Sequence, residues 1–316
     1  MSVFFRFSIV ILVMSFFKLK AQTSQTPILL ADPTVFEEDG TYYLYGTKGD
    51  DSIAGAGFLV YTSTDLQHWS GPVGNADGYA FKKGAGFGTK GFWAPQIFKH
   101  QDTYYMAYTA DEQIAIATAT SPLGPFKNEG KALEAPVKQI DPFVFFDNGK
   151  AYLYHVRLQE GNRIFVAELT SDLKQIKEET LQECLHAETG WENTWDSDWS
   201  VSEGPTVFKH NNLYYLIYSA NDFRNPDYAV GYATAASALG PWTKFEGNPI
   251  ISTALTARPG IGHGDLVVLP DATLGYVLHT HNSADKVGPR KTGFVKLQIK
   301  DGKLVLVSGS FKELGL

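Results

Sequence analysis

The stretch ADPTVFEEDGTYYLYGT, residues 31–47, has the pattern of a β-hairpin. A short apolar run at residues 34–36 is followed by Glu-Glu-Asp-Gly, and then by a Tyr-rich run at residues 41–47. Asp-Gly is a strong turn signal because Gly, and to a lesser degree Asp, tolerates a positive φ. The stretch therefore predicts two antiparallel strands joined by a tight turn.

Four further stretches repeat this pattern along the chain. They are WAPQIFKHQDTYYMAYTA from Trp93, IDPFVFFDNGKAYLYHV from Ile140, SEGPTVFKHNNLYYLIYSA from Ser202 and GHGDLVVLPDATLGYVLHT from Gly262. Each stretch has one equivalent position near its start, which we call the anchor position. The five anchor positions are Asp32, Ala94, Asp141, Gly204 and Asp265, and consecutive ones are about 47 to 63 residues apart. That period suits four-stranded blades around a central channel. The sequence predicts an all-β, single-domain, five-bladed β-propeller, with an irregular loop over residues 180–200.

Composition narrows the classes of partner. Hydrophobic residues make up 44% and aromatic residues 14%, so the chain can bury a large core and also offer aromatic faces to sugars. The net charge is −7 and no basic patch stands out, which argues against nucleic acid as a partner. Cys184 is the only cysteine, so an internal disulfide is excluded.

The N-terminal residues have the pattern of an export signal. Arg6 precedes an apolar run at residues 7–17 that is too short to span a bilayer comfortably, and Ala21 is a plausible cleavage point. We expect a signal peptide at residues 1–21 and a propeller catalytic domain at residues 22–316. A periplasmic or secreted protein with no stable membrane insertion after cleavage follows, and a membrane anchor is the alternative.

Three carboxylates lie at or beside the anchor positions. The innermost strands of all blades begin near one end of the channel, so Asp32, Asp141 and Glu203 are expected to converge there. Carboxylates brought together repel, which raises the pKa of at least one of them. A raised carboxyl group can act as a general acid and an ordinary one as a base, the pair that glycoside hydrolysis needs.

The motifs ADPTV, FWAPQI, IDPFVF, SEGPTVF and GHGD, in this order and at blade spacing, resemble glycoside hydrolase family 43. The resemblance covers essentially the whole chain after the signal segment and implies an inverting mechanism. It implies that Asp32 is the general base, that Glu203 is the general acid, and that Asp141 tunes and orients the acid. Inversion leaves room for a water molecule, with acid and base carboxyl groups about 6.5–9.5 Å apart.

The resemblance also suggests substrate and metal residues. Trp93 and Phe92 are candidates to stack against the sugar, and Arg290 to touch its hydroxyl groups. His263 is the candidate ligand of a channel cation, typically calcium, with a structural or electrostatic role; no organic cofactor is expected. The loop tryptophans before Glu203 are candidates for the pocket wall; they are Trp191, Trp195 and Trp199.

Several activities fit these residues. The first is exo-hydrolysis releasing a pentose from plant-type polysaccharides or oligosaccharides, α-L-arabinofuranose before β-D-xylose. A retaining fructosidase-type propeller is disfavoured, because its Asn-Asp-Pro-Asn start is replaced here by Ala-Asp-Pro-Thr. A hydrolase for galactan-type or other sugars and a non-catalytic carbohydrate-binding propeller stay open.

Overall fold

A computed structural model describes residues 25–48 and 56–316. These residues form five antiparallel blades around a central channel and one small two-stranded sheet, and each blade begins with one of the five repeated stretches. The predicted all-β fold, a five-bladed propeller, is confirmed. The predicted signal peptide lies outside the described residues.

The first two blades have three strands each in order from the channel outward. Blade 1 consists of β1 (Leu30–Glu38), β2 (Thr41–Lys48) and β4 (Tyr61–Ser63). A separate two-stranded sheet joins β3 (Gly57–Leu59) to β5 (Tyr79–Lys82). Blade 2 consists of β6 (Trp93–His100), β7 (Thr103–Ala110) and β8 (Gln113–Ala119).

The other three blades have four or more strands. Blade 3 consists of β9 (Gln139–Asp147), β10 (Lys150–Leu158), β11 (Asn162–Glu168) and β12 (Gln182–His186). Blade 4 consists of β13 (Ser202–His210), β14 (Leu213–Ala220), β15 (Ala229–Ala235) and β16 (Thr243–Lys244). Blade 5 consists of β17 (Gly262–Val268), β18 (Leu274–Thr280), β19 (Lys291–Lys300), β20 (Lys303–Leu306) and β21 (Lys312–Glu313).

Helical structure is limited to short turns in the described residues. They are 3₁₀ turns at Glu178–Thr180 and Gly190–Glu192 and a single α-helical turn, α1, at Thr253–Thr256. The loop predicted over residues 180–200 is only partly irregular, because β12 supplies the outer strand of blade 3 there. Within the described residues, no helix has both the length and the apolar character needed to cross a membrane.

The two ends of the described chain meet in blade 5. The N–H of Ile28 donates to the carbonyl of Leu314 (2.9 Å), and the N–H of Thr292 donates to the carbonyl of Ile28 (2.9 Å). The N–H of Leu316 in turn donates to the carbonyl of Thr26 (2.9 Å). The N-terminal segment therefore hydrogen-bonds to the last blade and closes the ring, which leaves no open edge between blades 1 and 5.

The core lies between the blades. Neighbouring sheets pack face to face through large buried side chains, such as Tyr108 of blade 2 against Phe58 and Phe81 from the blade 1 side. Tyr154 of blade 3 and Tyr218 of blade 4 are buried in the same way in the interface between those two blades. Most of the aromatic side chains thus take part in this packing. The packing fixes the position of the blades relative to the channel.

Candidate active site

The inner strand of every blade has a bulge at the same place. The residue in the bulge has a positive φ between 42° and 60° in all five blades: Asp32, Ala94, Asp141, Gly204 and His263. Such bulges bend the strand and re-aim a side chain, and they are common next to active sites. The fifth anchor position is therefore His263 and not Asp265. The expected position, at Asp265, lies two residues after the bulge.

Each bulge is held by a side chain from the preceding blade. The bulge N–H groups donate across the blade interface as follows: Ala94 to Thr47 Oγ1 (2.9 Å), Asp141 to Thr109 Oγ1 (2.9 Å), His263 to Ser219 Oγ (2.7 Å) and Asp32 to His279 Nδ1 (3.1 Å). These partners all lie near the end of the second strand, opposite the residue before that blade's own bulge. Side chains thus fix the strained backbone that aims the site residues.

Blade 4 departs from this arrangement. The corresponding residue of blade 3 is Val156, which pairs with Ile140 and has no acceptor in its side chain. The N–H of Gly204 donates instead to Oδ2 of Asp141 (3.3 Å). A Cβ on Gly204 would lie 2.8 Å from the His263 ring, so glycine is needed here for space as well as for φ. The exception ties Asp141 to the backbone directly after Glu203.

Asp32 lies in a positively polarised part of the site. Its Oδ1 is 2.9 Å from Nη1 of Arg290 and 3.3 Å from Nδ1 of His279, while Thr47 donates to Oδ2 (2.7 Å). Nδ1 of His263 is 3.5 Å from the same Oδ1. Burial raises the pKa of Asp32, but the positive charge of Arg290, with smaller contributions from His263 and His279, outweighs burial and holds the pKa well below its usual range. Asp32 is therefore ionised over the whole neutral range.

Glu203 lies in a different environment. Its Oε1 accepts a hydrogen bond from the hydroxyl of Tyr228 (2.8 Å), and its Oε2 accepts one from Nδ2 of Asn162 (3.1 Å). Burial raises the pKa of Glu203 to about 7, and the charge of Asp32 adds to the effect, while the two hydrogen bonds offset part of it. Glu203 can therefore hold a proton near neutral pH.

Asp141 lies between these two groups. It is buried, and its Oδ2 accepts the Gly204 N–H and lies 3.8 Å from Nδ1 of His263. Burial and the negative charges of Glu203 and Asp32 raise the pKa of Asp141 well above its usual range. Asp141 and Glu203 thus form a coupled pair that retains a proton, as the predicted convergence of the three carboxylates requires.

The three carboxylates line a cavity of about 900 Å³. Trp93 and Trp199 form open parts of its wall and are 38% and 49% exposed. Phe92 also borders the cavity, but its ring packs among core aromatics such as Tyr108 and is 4% exposed. Of these two predicted residues, Trp93 is therefore exposed on the cavity wall, whereas Phe92 belongs mainly to the core. Arg290 packs over the Phe223 ring, with 4.5 Å from guanidinium to ring centre.

The other two loop tryptophans do not line this cavity. Trp191 packs against Tyr218 with ring centres 5.9 Å apart and belongs to the interface of blades 3 and 4. Trp195 is 54% exposed and is absent from the cavity wall. Of the three predicted wall residues in this loop, the structure brings only Trp199 to the site.

The model of the family described as glycosyl hydrolases family 43 matches residues 25–304. The chain belongs to glycosyl hydrolase family 43. The resemblance predicted from the five motifs is thereby confirmed, and the cavity with its three carboxylates is a candidate active site of a glycoside hydrolase.

Relatives within this family differ in their described activities. An endo-1,4-β-xylanase from Bacteroides thetaiotaomicron has a solved structure with a TM-score of 0.83 and 38% identity, covering 92% of this chain and 98% of that one. A thermostable family-43 glycoside hydrolase has a TM-score of 0.81 and 34% identity, with coverages of 91% and 96%. An arabinoxylan arabinofuranohydrolase from Bacillus subtilis is 27% identical, covering 67% of this chain. The chain spans about half of that relative's length (48%).

The family resemblance implies a calcium ion in the channel, and few polar groups of the described channel are free to bind one. Below the bulges the channel has a volume of about 20 Å³, enough for about one water molecule. Two of its polar side chains are already paired, Thr34 with Asp265 and Gln96 with the backbone of Val144. In residues 25–48 and 56–316, no group of three or more His, Cys, Asp or Glu side chains is arranged to hold a metal.

Calcium prefers six to eight oxygen ligands. His263 alone, facing Asp32 and Asp141 through Nδ1, does not meet that requirement. The described residues therefore do not fit a calcium ion coordinated directly by the protein, and a weak, hydrated cation beside His263 stays a prediction.

Three residues around the carboxylates carry no motif of their own: His279, Tyr228 and Asn162. A signal for His279 existed, because it occupies the same place in its hairpin as Thr47 and Ser219 do in theirs. Asn162 begins the third strand of blade 3 and Tyr228 directly precedes the third strand of blade 4, and both are brought to Glu203 only by the assembled fold. Their ring and amide could not be placed from repeat spacing.

Proposed function

We propose that this protein is an inverting, exo-acting glycoside hydrolase that releases a pentose, α-L-arabinofuranose in preference to β-D-xylose, from plant-type polysaccharides or oligosaccharides. The observation that carries the proposal is that the pKa values of two carboxyl groups in one cavity are shifted in opposite directions. Asp32 is held ionised while Glu203 holds a proton near neutral pH. An ionised base and a protonated acid are the two forms that the reaction starts from.

In the proposed reaction, Asp32 takes a proton from a water molecule, and the water oxygen bonds to the anomeric carbon. The bond from that carbon to the leaving-group oxygen breaks, and Glu203 gives its proton to this oxygen. Asp141 keeps a proton within the pair and, through the Gly204 N–H, fixes the backbone beside Glu203. Attack and departure occur on opposite faces of the sugar, so the anomeric configuration inverts.

The sugar is proposed to stack on Trp93, with Arg290 beside the base and Trp199 near the acid. A pentose is supported by the names of the relatives, which concern arabinofuranosyl and xylan substrates. Export to the periplasm or outside the cell is part of the proposal, because polymeric substrates are found there.

Endo-acting hydrolysis of xylan is a second candidate. The cavity of about 900 Å³ has two open indole faces on its wall, and the xylanase of Bacteroides thetaiotaomicron covers nearly the whole chain at 38% identity. An open cleft would accept a chain on both sides of the cleaved bond.

The test is to incubate the purified protein with aryl α-L-arabinofuranoside, aryl β-D-xyloside, arabinan, arabinoxylan and xylan. The expected product is free arabinose, and early proton NMR spectra are expected to show the β-anomer released from the α-linkage. Xylo-oligosaccharides would establish endo action instead. The α-anomer first would indicate a retaining mechanism, and no release from any substrate would leave carbohydrate binding as the function.

A further inference from the structure

Asn162 connects the acid to the cavity wall. It is the first residue of β11, and its Nδ2 donates to Oε2 of Glu203 (3.1 Å). On the other side, its Oδ1 accepts a hydrogen bond from Nε1 of Trp199 (2.9 Å). An indole N–H can only donate. Trp199 therefore determines which way the amide of Asn162 points, and the NH₂ group is turned toward Glu203.

The backbone of Asn162 also holds the segment that leads to Glu203. Its N–H donates to the carbonyl of Ser200 (2.9 Å), and its carbonyl accepts the hydroxyl of Ser202 (3.1 Å). Residues 162 and 201 form a parallel bridge. Three consecutive residues before the acid are thus attached to one residue of the neighbouring blade, so a shift at Asn162 moves the acid as well.

Trp199 has two different surfaces. Its indole N–H is engaged by Asn162, while about half of the side chain (49%) is exposed on the cavity wall. An exposed indole face is a suitable platform for a sugar ring, because such rings have an apolar face. The group that would meet the leaving-group part of a substrate is therefore bonded, through one amide, to the acid that protonates it.

We propose that Asn162 is a positioning residue for Glu203 and that Trp199 sets its orientation, so that contact with the leaving-group sugar and orientation of the acid depend on one hydrogen-bonded chain. This inference rests on the proposed function, because it takes Glu203 as the general acid. It goes further by giving Trp199 a role in kcat as well as in binding.

The hydrogen bonds from Trp199 through Asn162 to Glu203 also affect the protonation of Glu203. The Asn162 amide stabilises the ionised form of Glu203, so its loss raises the pKa of the acid. The other groups that act on Glu203 are Tyr228, Asp32 and Asp222, together with Asp141, its coupled partner. They stay in place when Asn162 or Trp199 is changed. A shift of the alkaline limb of the pH–activity profile in those variants therefore shows the loss of the Asn162 amide hydrogen bond to Glu203.

The experiment compares Asn162→Ala, Trp199→Phe and the control Trp195→Phe. Trp199→Phe keeps a smaller aromatic face and removes the indole N–H, and Trp195 is an exposed indole of the same loop outside the cavity wall. Kinetics are measured on a glycoside with a sugar leaving group and on one with a dinitrophenyl leaving group, which departs without help from an acid.

With the sugar leaving group, kcat is expected to fall by about ten- to a hundredfold in Asn162→Ala and by less in Trp199→Phe, because misplacing a reacting group is costly. With the dinitrophenyl substrate, kcat is expected to change little. The alkaline limb is expected to move to higher pH in both variants and not in Trp195→Phe. A Trp199→Phe enzyme with only a raised KM, and an unchanged kcat and pH profile, would overturn the proposal.

Folding and activity can be separated from this test. Trp199→Phe changes a half-exposed ring, so it remains informative where Asn162→Ala does not fold. Should the wild type cleave no glycoside, the proposed function fails, and ¹³C NMR titration of the Glu203 carboxyl still decides the inference. A higher pKa of Glu203 in Trp199→Phe than in the wild type supports the proposed link from Trp199 through Asn162 to Glu203, and equal pKa values contradict it.

Discussion

The two sides of the cavity shift the pKa of a buried carboxyl group in opposite directions. On the side of blades 1 and 5, Asp32 contacts the guanidinium of Arg290 and faces two imidazoles. On the side of blades 3 and 4, the hydrogen-bond donors to Glu203 among the described residues are the neutral side chains of Tyr228 and Asn162. Both carboxylates are less than a tenth exposed. Burial alone therefore does not decide the protonation state, and the charge of the neighbouring groups does.

The largest effect is expected from removing the charge on the ionised side. Asp32→Asn keeps the size of the side chain but cannot take a proton from water, so kcat is expected to fall by about 10²- to 10⁴-fold. The matched control is Asp39→Asn, an exposed turn residue of the same blade that also has a positive φ. Steady-state kinetics on an aryl pentoside measure both, and equal activity would remove Asp32 from the proposed role.

A smaller effect is expected from the cation that holds Asp32 ionised. In Arg290→Gln the pKa of Asp32 rises, so the acidic limb of kcat/KM moves to higher pH and activity at neutral pH falls by about tenfold or more. Arg290→Lys retains the positive charge and should keep the limb near its original place. A raised KM with an unmoved acidic limb in Arg290→Gln would assign Arg290 to sugar binding alone.

How much of this site followed from the sequence depends on where each residue lies in the repeat. Asp32, Asp141 and Glu203 were predictable because the first strand of each blade begins at the channel, so repeat spacing alone brings them together. The fifth position was misaligned, because neither His263 nor Asp265 is followed by the proline that marks the bulge in the other four blades.

The groups that set the protonation states were not predictable in the same way. Tyr228 and Asn162 lie at or directly before the third strands of their blades, and their distance to Glu203 depends on blade packing. Arg290 is predicted at the site as a sugar contact, which stays a prediction, and the structure adds that its guanidinium lies against Asp32. Repeat spacing gives the direction of inner-strand side chains, but it does not give the neighbours contributed by loops.

The smallest effect in this comparison concerns stability. The folded-state pKa of Glu203 is raised to about 7 from an ordinary 4.5, so the folded protein holds a proton that the unfolded chain releases between these values. Stability is therefore lost as pH rises through this window, by up to a few kcal/mol, and the loss is complete above the folded pKa. Glu203→Gln, which has no proton to lose, should melt higher than the wild type at about pH 8 and similarly at about pH 4.

The control for this measurement is Glu134→Gln, which changes an exposed carboxylate and should leave both melting temperatures unchanged. A Glu203→Gln protein that is no more stable than the wild type at the higher pH would show that Glu203 is not destabilised by ionisation. The two sides of the cavity would then be less different than their contacts indicate.

The most direct test of the opposite tuning is the pH dependence of kcat/KM for the wild type and Glu203→Gln on a dinitrophenyl pentoside and on a sugar-linked substrate. For the wild type on the sugar-linked substrate, we predict an acidic limb below about pH 4 from Asp32 and an alkaline limb near pH 7 from Glu203. In Glu203→Gln the activated substrate should retain the acidic limb and lose any alkaline limb. An alkaline limb near pH 7 that persists in Glu203→Gln would contradict the assignment of the acid.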